Sequence, residues 1–254
     1  MTLPQTPSFR LDGKRALVAG GTSGIGLACA AAVAQAGAEL TVVARNETRL
    51  SETAEAFAAE GITIETAAMD VADTEAVSDF VQAQQPFDIL VNSAGLARHG
   101  PALETDPQDY DAVFDLNVKG AYFLTREVAK KLDAAAKPGS LINISSQMAH
   151  VGGIDRAVYA ATKHAIEGMT KSMAIEWGQK GIRINTICPT FIRTPLTAST
   201  FANPDRVKWI TEKIKLGRIG EVEDIMGATV FLASDASALI TGTSLLVDGG
   251  WTAG

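Results

Sequence analysis

Short, nearly continuous runs of Val, Ile and Leu alternate along the chain with longer stretches whose apolar positions recur every three to four residues. The runs RALVAG (15–20), ELTVVA (39–44), ITIETAAM (62–69), DILVNS (88–93), SLINIS (140–145), IRINTI (182–187) and SLLVD (244–248) predict seven strands. Continuous rather than alternating apolar character is that of strands covered on both faces. The helical pattern predicts helices near 24–36, 47–60, 73–84, 107–136, 156–179 and 221–233. Strand and helix in regular alternation predict an α/β fold, with helices on both faces of a seven-stranded parallel sheet. No Pro/Gly/Ser-rich linker and no internal repeat divides the chain, so one doubly wound domain over 1–254 is expected.

The stretch from about 190 to 216 fits no strand. It carries Pro195 and Pro204 and then the apolar helical piece VKWITEKIKL. Ligands of such sheets bind outside the carboxyl ends of the strands, so an insertion directly after a strand is expected to form a lid.

Composition narrows the class. The 254 residues are 46% hydrophobic and 20% charged, ordinary for a globular protein. The net charge of −7 argues against nucleic-acid or anionic-membrane partners, which need a basic face. Cys29 and Cys188 stand alone, without disulfide or metal-ligand spacing, and read as small buried hydrophobes. The N-terminal MTLPQTPSFRLDGK lacks a signal-peptide pattern, and no window reaches a membrane span. A reducing cytoplasm is the expected compartment, and no metal is expected.

The first predicted strand runs into AGGTSGIG (19–26) and then into a helix. Gly20, Gly24 and Gly26 allow a tight turn with close approach of backbone amides, and a helix N-terminus favours negative charge. Strand, turn and helix in this order mark a Rossmann-like dinucleotide site, with Thr22, Ser23 and Ile25 in the same turn. About 20 residues further on, an acidic residue would bind the ribose of NAD, and an arginine would accept the extra phosphate of NADP. Arg45 and Asn46 stand there, so NADP(H) is favoured, with NAD(H) the alternative.

YAATK (159–163) places Tyr159 and Lys163 at i and i+4, stacked on one face of the helix with Cβ atoms about 5–6 Å apart. An ammonium beside a phenol favours the phenolate and eases proton transfer to a nascent alkoxide. Ser145 and Ser146 end the fifth predicted strand and supply a hydroxyl to hold a carbonyl oxygen.

With these residues assembled, the chain resembles the compact short-chain dehydrogenase/reductase family over nearly its whole length. The family's T-G-x3-G-x-G is AGGTSGIG here, with Ala19 for threonine, and its N-N-A-G is NSAG (92–95). Its N-x3-P-G is NTICPT, with Thr190 for glycine, and its catalytic asparagine matches Asn117 in DLNVKG. Its serine matches Ser146 rather than Ser145, on the spacing to Tyr159.

The resemblance implies Tyr159 as general acid/base, with Lys163 assisting it and holding the nicotinamide ribose. It implies Ser146 orienting the substrate oxygen, and Asn117 anchoring a water that links Lys163 to solvent. It places Asp70 and Val71 at the adenine. Asn92, Ala94, Gly95, Pro189, Ile192 and Thr194 line the remaining cofactor.

Arg98 and His99, with Met148 and His150 in QMAH, fall where they could wall the substrate site, as does Phe191. Arg156 opens the helix that carries Tyr159, where it would either meet a polar substrate or, as is first expected, stand solvated. The segment VNSAGLARHGPALETD is similar to bacterial polyol and sugar dehydrogenases, so a secondary alcohol on a sugar, polyol or small polar carbonyl compound is expected. A 3-oxoacyl thioester reductase is the alternative; it would want basic surface for a carrier's phosphates. A silent nucleotide-binding regulator is another, and it would lack part of the Ser-Tyr-Lys set. An extended sugar-nucleotide epimerase would need a larger C-terminal domain. The family's habit and the apolar helices near 107–136 and 156–179 predict a homotetramer.

Overall fold

All seven apolar runs enter one parallel sheet in the computed structural model, which describes residues Met1–Gly254. The strands are β1 (Arg15–Ala19), β2 (Glu39–Ala44), β3 (Glu65–Ala68), β4 (Ile89–Asn92), β5 (Gly139–Ile144), β6 (Ile182–Pro189) and β7 (Ser244–Val247). Their spatial order is β3-β2-β1-β4-β5-β6-β7, every neighbouring pair parallel. The chain therefore winds outward in one direction from β1 and in the other from β4, and a crevice opens between them at their carboxyl ends.

The continuous apolar runs follow from a sheet covered on both faces. On β1, Ala16 and Val18 join one core and Leu17 and Ala19 the other. The first core takes Cys29, Ala30 and Val33 from α1 (Gly24–Gln35), and Leu50 and Phe57 from α2 (Glu47–Ala59). The second takes Val77 and Val81 from α3 (Thr74–Ala83). Leucines such as Leu17, Leu90 and Leu141 are fully buried, and truncating one to alanine would cost about 2–5 kcal/mol.

The helical stretch expected over 107–136 is interrupted. It consists of α4 (Pro107–Phe114), a π turn at Asp115–Gly120 and α5 (Ala121–Ala134). The turn draws Gly120 against the carbonyl of Val71, where a Cβ would stand 2.6 Å from the oxygen. The third strand is shorter than expected. Residues 62–64 instead lead out of α2, with the Ile62 N–H bonded to the Phe57 carbonyl, and Ile62 and Ile64 pack on the core.

After β5 comes α6 (Ala157–Trp177). After β6 the segment expected as a lid forms a 3-10 turn, Pro195–Thr197, then α7 (Ala198–Phe201) and α8 (Pro204–Lys213). It returns to α9 (Glu223–Ala233) through clamped ends. Ile192 bridges Gly220, Arg193 pairs with Glu221 at 3.1 Å, and Arg218 grips Asp224 with two bonds of 2.6 and 2.7 Å. That fork is the main cause holding the Asp224 carboxyl down, from 3.8 to about 2. The segment has a small core of its own, Ile210, Ile214 and Ile219. Trp251 of the C-terminal turn covers this core, with its ring centroid 5.5 Å from Phe191 and 5.4 Å from Trp209.

The two cysteines are inert thiols. Cys29 lies between α1 and α9, 3.3 Å from the Thr229 hydroxyl, and burial pushes it up to about 11. Burial and the neighbouring Glu167 push Cys188 to about 12. No helix is long and apolar enough to cross a membrane.

Candidate active site

The crevice at the switch point is a cleft of about 450 Å³. Its outer half is built by the glycine turn. Gly20 sits at φ +74°, and a Cβ there would lie 2.9 Å from the Ala94 nitrogen, so the β1 and β4 turns are packed backbone to backbone. A Cβ on Gly26 would lie 2.1 Å from the Gly20 carbonyl oxygen, so the helix begins directly against its own turn. Only glycine permits either approach.

Helices α2, α3, α4 and α8 each have their first amides satisfied by a side chain, from Asn46, Asp73, Asp106 and Asn203. At α1 the Ser23 side chain makes no such bond, and no acidic residue stands in the first turn. Its leading N–H groups therefore open into the cleft, an arrangement suited to a phosphate. Two arginines stand at the same end. Arg45, between β2 and α2, has a single loose partner, Asp70, at 3.9 Å, and Arg49 stands in the first turn of α2. The free helix end, the glycine cradle and the two cations together fit a phosphorylated dinucleotide.

Nearly every residue expected around the cofactor lines this cleft. Thr22, Ser23, Gly24 and Ile25 come from the first turn, Asn46, Asp70 and Val71 from the ends of β2 and β3, and Ala94 and Gly95 from the NSAG turn. Pro189, Ile192 and Thr194 line it from the end of β6 and the segment that follows. Asn92 does not line it. Its amide donates to Asn143 Oδ1 at 3.1 Å and its carbonyl accepts from the Ala94 N–H, so it braces the floor from beneath. Arg49 escaped the sequence reading; it comes to the cleft from the first turn of α2, after the chain has turned at Asn46. The nearby carboxylate of Asp70 was equally invisible at positions 44–46. The two family departures keep ordinary backbone angles: Ala19 is buried in β1, and Thr190 has no positive φ, with its buried hydroxyl left without a hydrogen-bond partner.

At the inner end the chemistry-bearing groups converge. Ser146 caps the 3-10 turn Gln147–Ala149, accepting the Met148 N–H at 3.1 Å, which leaves its hydroxyl hydrogen free to point at a ligand. Lys163 is 6% exposed and anchored to the Ile144 carbonyl at 2.9 Å, with its Nζ 5.5 Å from the Tyr159 ring centroid. One of its three donors is thus committed and two remain. Asn117 sits in the π turn, a geometry often found at functional sites. Its side chain holds both backbone groups of Leu96, at 2.8 and 2.9 Å, and donates to Thr162, whose hydroxyl bonds the Tyr159 carbonyl. Asn117 therefore ties the loop after NSAG to the first turn of α6.

Of the residues expected to wall a substrate, His99 meets the Tyr159 ring edge to face, with centroids 5.5 Å apart. Partial burial, then Arg156 and Arg206, push its pKa down to about 4, so it is a neutral imidazole near neutral pH. Met148 is buried and packs with its sulfur at Gly153. Arg98 is drawn outward toward Asp109 at 3.6 Å. His150 turns toward Glu167 and Cys188, neither of which lines the cleft. The expectation for Arg156 is overturned: it is 8% exposed, covered by Phe191.

A family profile described as enoyl-(acyl carrier protein) reductase matches residues 19–252. Gluconate 5-dehydrogenase of Gluconobacter oxydans is 38% identical over 248 residues, covering 96% of both chains. D-threitol dehydrogenase of Mycolicibacterium smegmatis is 41% identical over 254 residues, covering 96% of this chain and 95% of that one. The chain belongs to the short-chain dehydrogenase/reductase family. A crystal structure of gluconate 5-dehydrogenase from Burkholderia cenocepacia, in complex with NADP and tartrate, superposes with a TM-score of 0.93 at 36% identity. It covers 97% of this chain and 98% of that one. As a short-chain dehydrogenase/reductase the protein is an NAD(P)-dependent oxidoreductase that interconverts a secondary alcohol and a carbonyl compound.

Proposed function

We propose that the protein is an NADP(H)-preferring dehydrogenase of a small polyhydroxylated substrate. The observation that carries this reading is the cleft itself. The uncapped start of α1 with Arg45 and Arg49 stands at one end, and Ser146, Tyr159 and Lys163 stand at the other. Relatives named for gluconate and threitol, and a neighbour that binds NADP, support it.

In the oxidative direction the substrate hydroxyl gives its proton to the Tyr159 phenolate while its carbon loses a hydride, leaving a ketone. NADP⁺, when bound, would accept that hydride, and NADPH would give it back in the reductive direction. Ser146 donates to the substrate oxygen and fixes it beside Tyr159. The Lys163 ammonium beside the ring would favour the phenolate, and its two uncommitted donors would hold the ribose of a bound cofactor. Asn117 holds the loop and the helix turn that frame the pair. In this reading the protein is one domain, and the 190–216 segment closes over the cleft, with Pro195, Leu196 and Thr197 lining it. The 3-oxoacyl thioester reading is weaker, since a chain of net charge −7 offers little to a carrier's phosphates. A silent regulator would have no use for a complete Ser-Tyr-Lys set.

Removing a charge-assisted pair to the 2′-phosphate costs about 1.5–3 kcal/mol. Arg45→Ala is therefore expected to raise the KM for NADP about 10-fold or more while leaving that for NAD nearly unchanged, read from initial rates with each cofactor. Equal KM values for wild type and variant with NADP would remove the basis for the preference.

Association follows the same reading. Tyr122, Ile175 and Leu246 are exposed on α5, α6 and β7, and β7 is an open sheet edge. A homotetramer is expected by light scattering at micromolar concentration, and a monomer there would contradict it.

A further inference from the structure

Arg156 stands at the start of α6, one turn before Tyr159, and is 8% exposed. Its guanidinium makes no hydrogen bond and no ion pair. Its partner is the face of Phe191, with Cζ 5.8 Å from the ring centroid, while its stem packs on Gly153 beside Met148. The carboxylate of the preceding Asp155 attracts it without pairing.

Tyr159, one turn along α6, also favours the cation, while burial, the helix end and a second arginine act against it. Helix α6 is 21 residues long, has no side-chain cap and no acidic residue in its first turn, so its positive end coincides with the arginine. Arg206 of α8 is near enough to repel it. Burial first, and then that repulsion, hold the Arg156 pKa below the ordinary arginine value. The same two cations help keep His99 neutral. A guanidinium that is buried, unpaired and in a positive field is one short of an anion.

We propose that Arg156, assisted by Arg206 from the lid helix, binds a carboxylate of the substrate, making this enzyme a dehydrogenase of sugar acids rather than of neutral polyols. The proposal rests on the proposed function and names its substrate class. A planar carboxylate matches the guanidinium fork, and Phe191 beneath fixes the plane of that fork. Arg156 stands one turn before Tyr159 on α6, so an acid group held there would set a hydroxyl further along the substrate toward Tyr159 and Ser146. Arg156 lies outside the residues that line the cofactor cleft, and Asp155, the one carboxylate that acts on it, does not pair with it.

The test compares D-gluconate, D-threitol and glucitol 6-phosphate as substrates of wild type, Arg156→Gln, Arg156→Lys and Arg206→Gln at saturating NADP. Wild type is expected to prefer gluconate. Arg156→Gln is expected to raise the gluconate KM 30-fold or more with a much smaller change in kcat, and to lower the gluconate-to-threitol ratio of kcat/KM at least tenfold. Arg156→Lys is expected to recover part of the loss. Arg206 is exposed, so Arg206→Gln retains the fold and is expected to raise the same KM severalfold.

A second readout needs no turnover: gluconate is expected to raise the melting temperature of the NADPH complex of wild type and not of Arg156→Gln. If wild type oxidises none of the three while this shift is present, the reaction assigned above fails and the carboxylate site stands. Equal losses on gluconate and threitol in Arg156→Gln, a preference for the phosphate ester, or no melting shift in wild type would each overturn the proposal.

Discussion

Tyr159→Phe is expected to lower kcat about 10²–10⁴-fold, the usual contribution of a positioned acid/base, while NADPH still binds. The substitution deletes one oxygen. The ring stays, and with it the edge contact to His99 at 5.5 Å and the Lys163 ammonium 5.5 Å from its centroid. The turn is held by Thr162 and Asn117 through main-chain and hydroxyl contacts that do not involve the phenol. A rate deficit therefore reports proton transfer rather than misfolding. Single-turnover rates together with NADPH fluorescence titration separate the two. A variant within tenfold of wild type would move the proton-carrying role to another group.

The second large effect is expected at Gly26→Ala. Its methyl would stand 2.1 Å from the Gly20 carbonyl oxygen and 3.2 Å from the Ser93 Cβ. The first obstacle is backbone and cannot swing aside, so the turn must move relative to the helix. Overpacking of this kind costs about 1–3 kcal/mol of stability. The larger penalty falls on the nucleotide, because two displaced charge-assisted bonds of about 1.5–3 kcal/mol each correspond to a 100-fold or greater loss of NADPH affinity. Titration by NADPH fluorescence, beside a thermal melt showing a folded protein, reads this directly. Affinity within threefold of wild type would mean that the close approach of Gly26 to Gly20 does not shape the phosphate cradle.

How much of this was legible in the chain depends on how local each signal is. The strands announce themselves because burial on both faces leaves each run continuously apolar, and the glycine turn because its close approaches exclude every side chain. Tyr159 and Lys163 are legible because a helix fixes i and i+4 on one face. Features that depend on two distant segments were not legible. The π turn at Asp115–Gly120 exists because Gly120 meets Val71, a contact between segments that periodicity cannot register. Asn92 is in the expected motif, yet its amide is taken by Asn143 of the neighbouring strand. Arg156 reads as an ordinary solvated helix-start arginine until Phe191 and Gly153 close around it. Arg49 was not legible from Arg45, because Arg45 precedes the helix and the i, i+4 rule does not reach across its extended N-cap, Asn46.

The aromatic contact between the C-terminal turn and α8 has an optical consequence. The chain has three tryptophans, and two of them, Trp209 and Trp251, lie 5.4 Å apart with their rings near perpendicular. One indole rides on the segment over the cleft and the other on the last residues of the chain. Their emission is coupled by that distance, so the spacing between these two parts of the molecule is written into its intrinsic fluorescence, with no label attached.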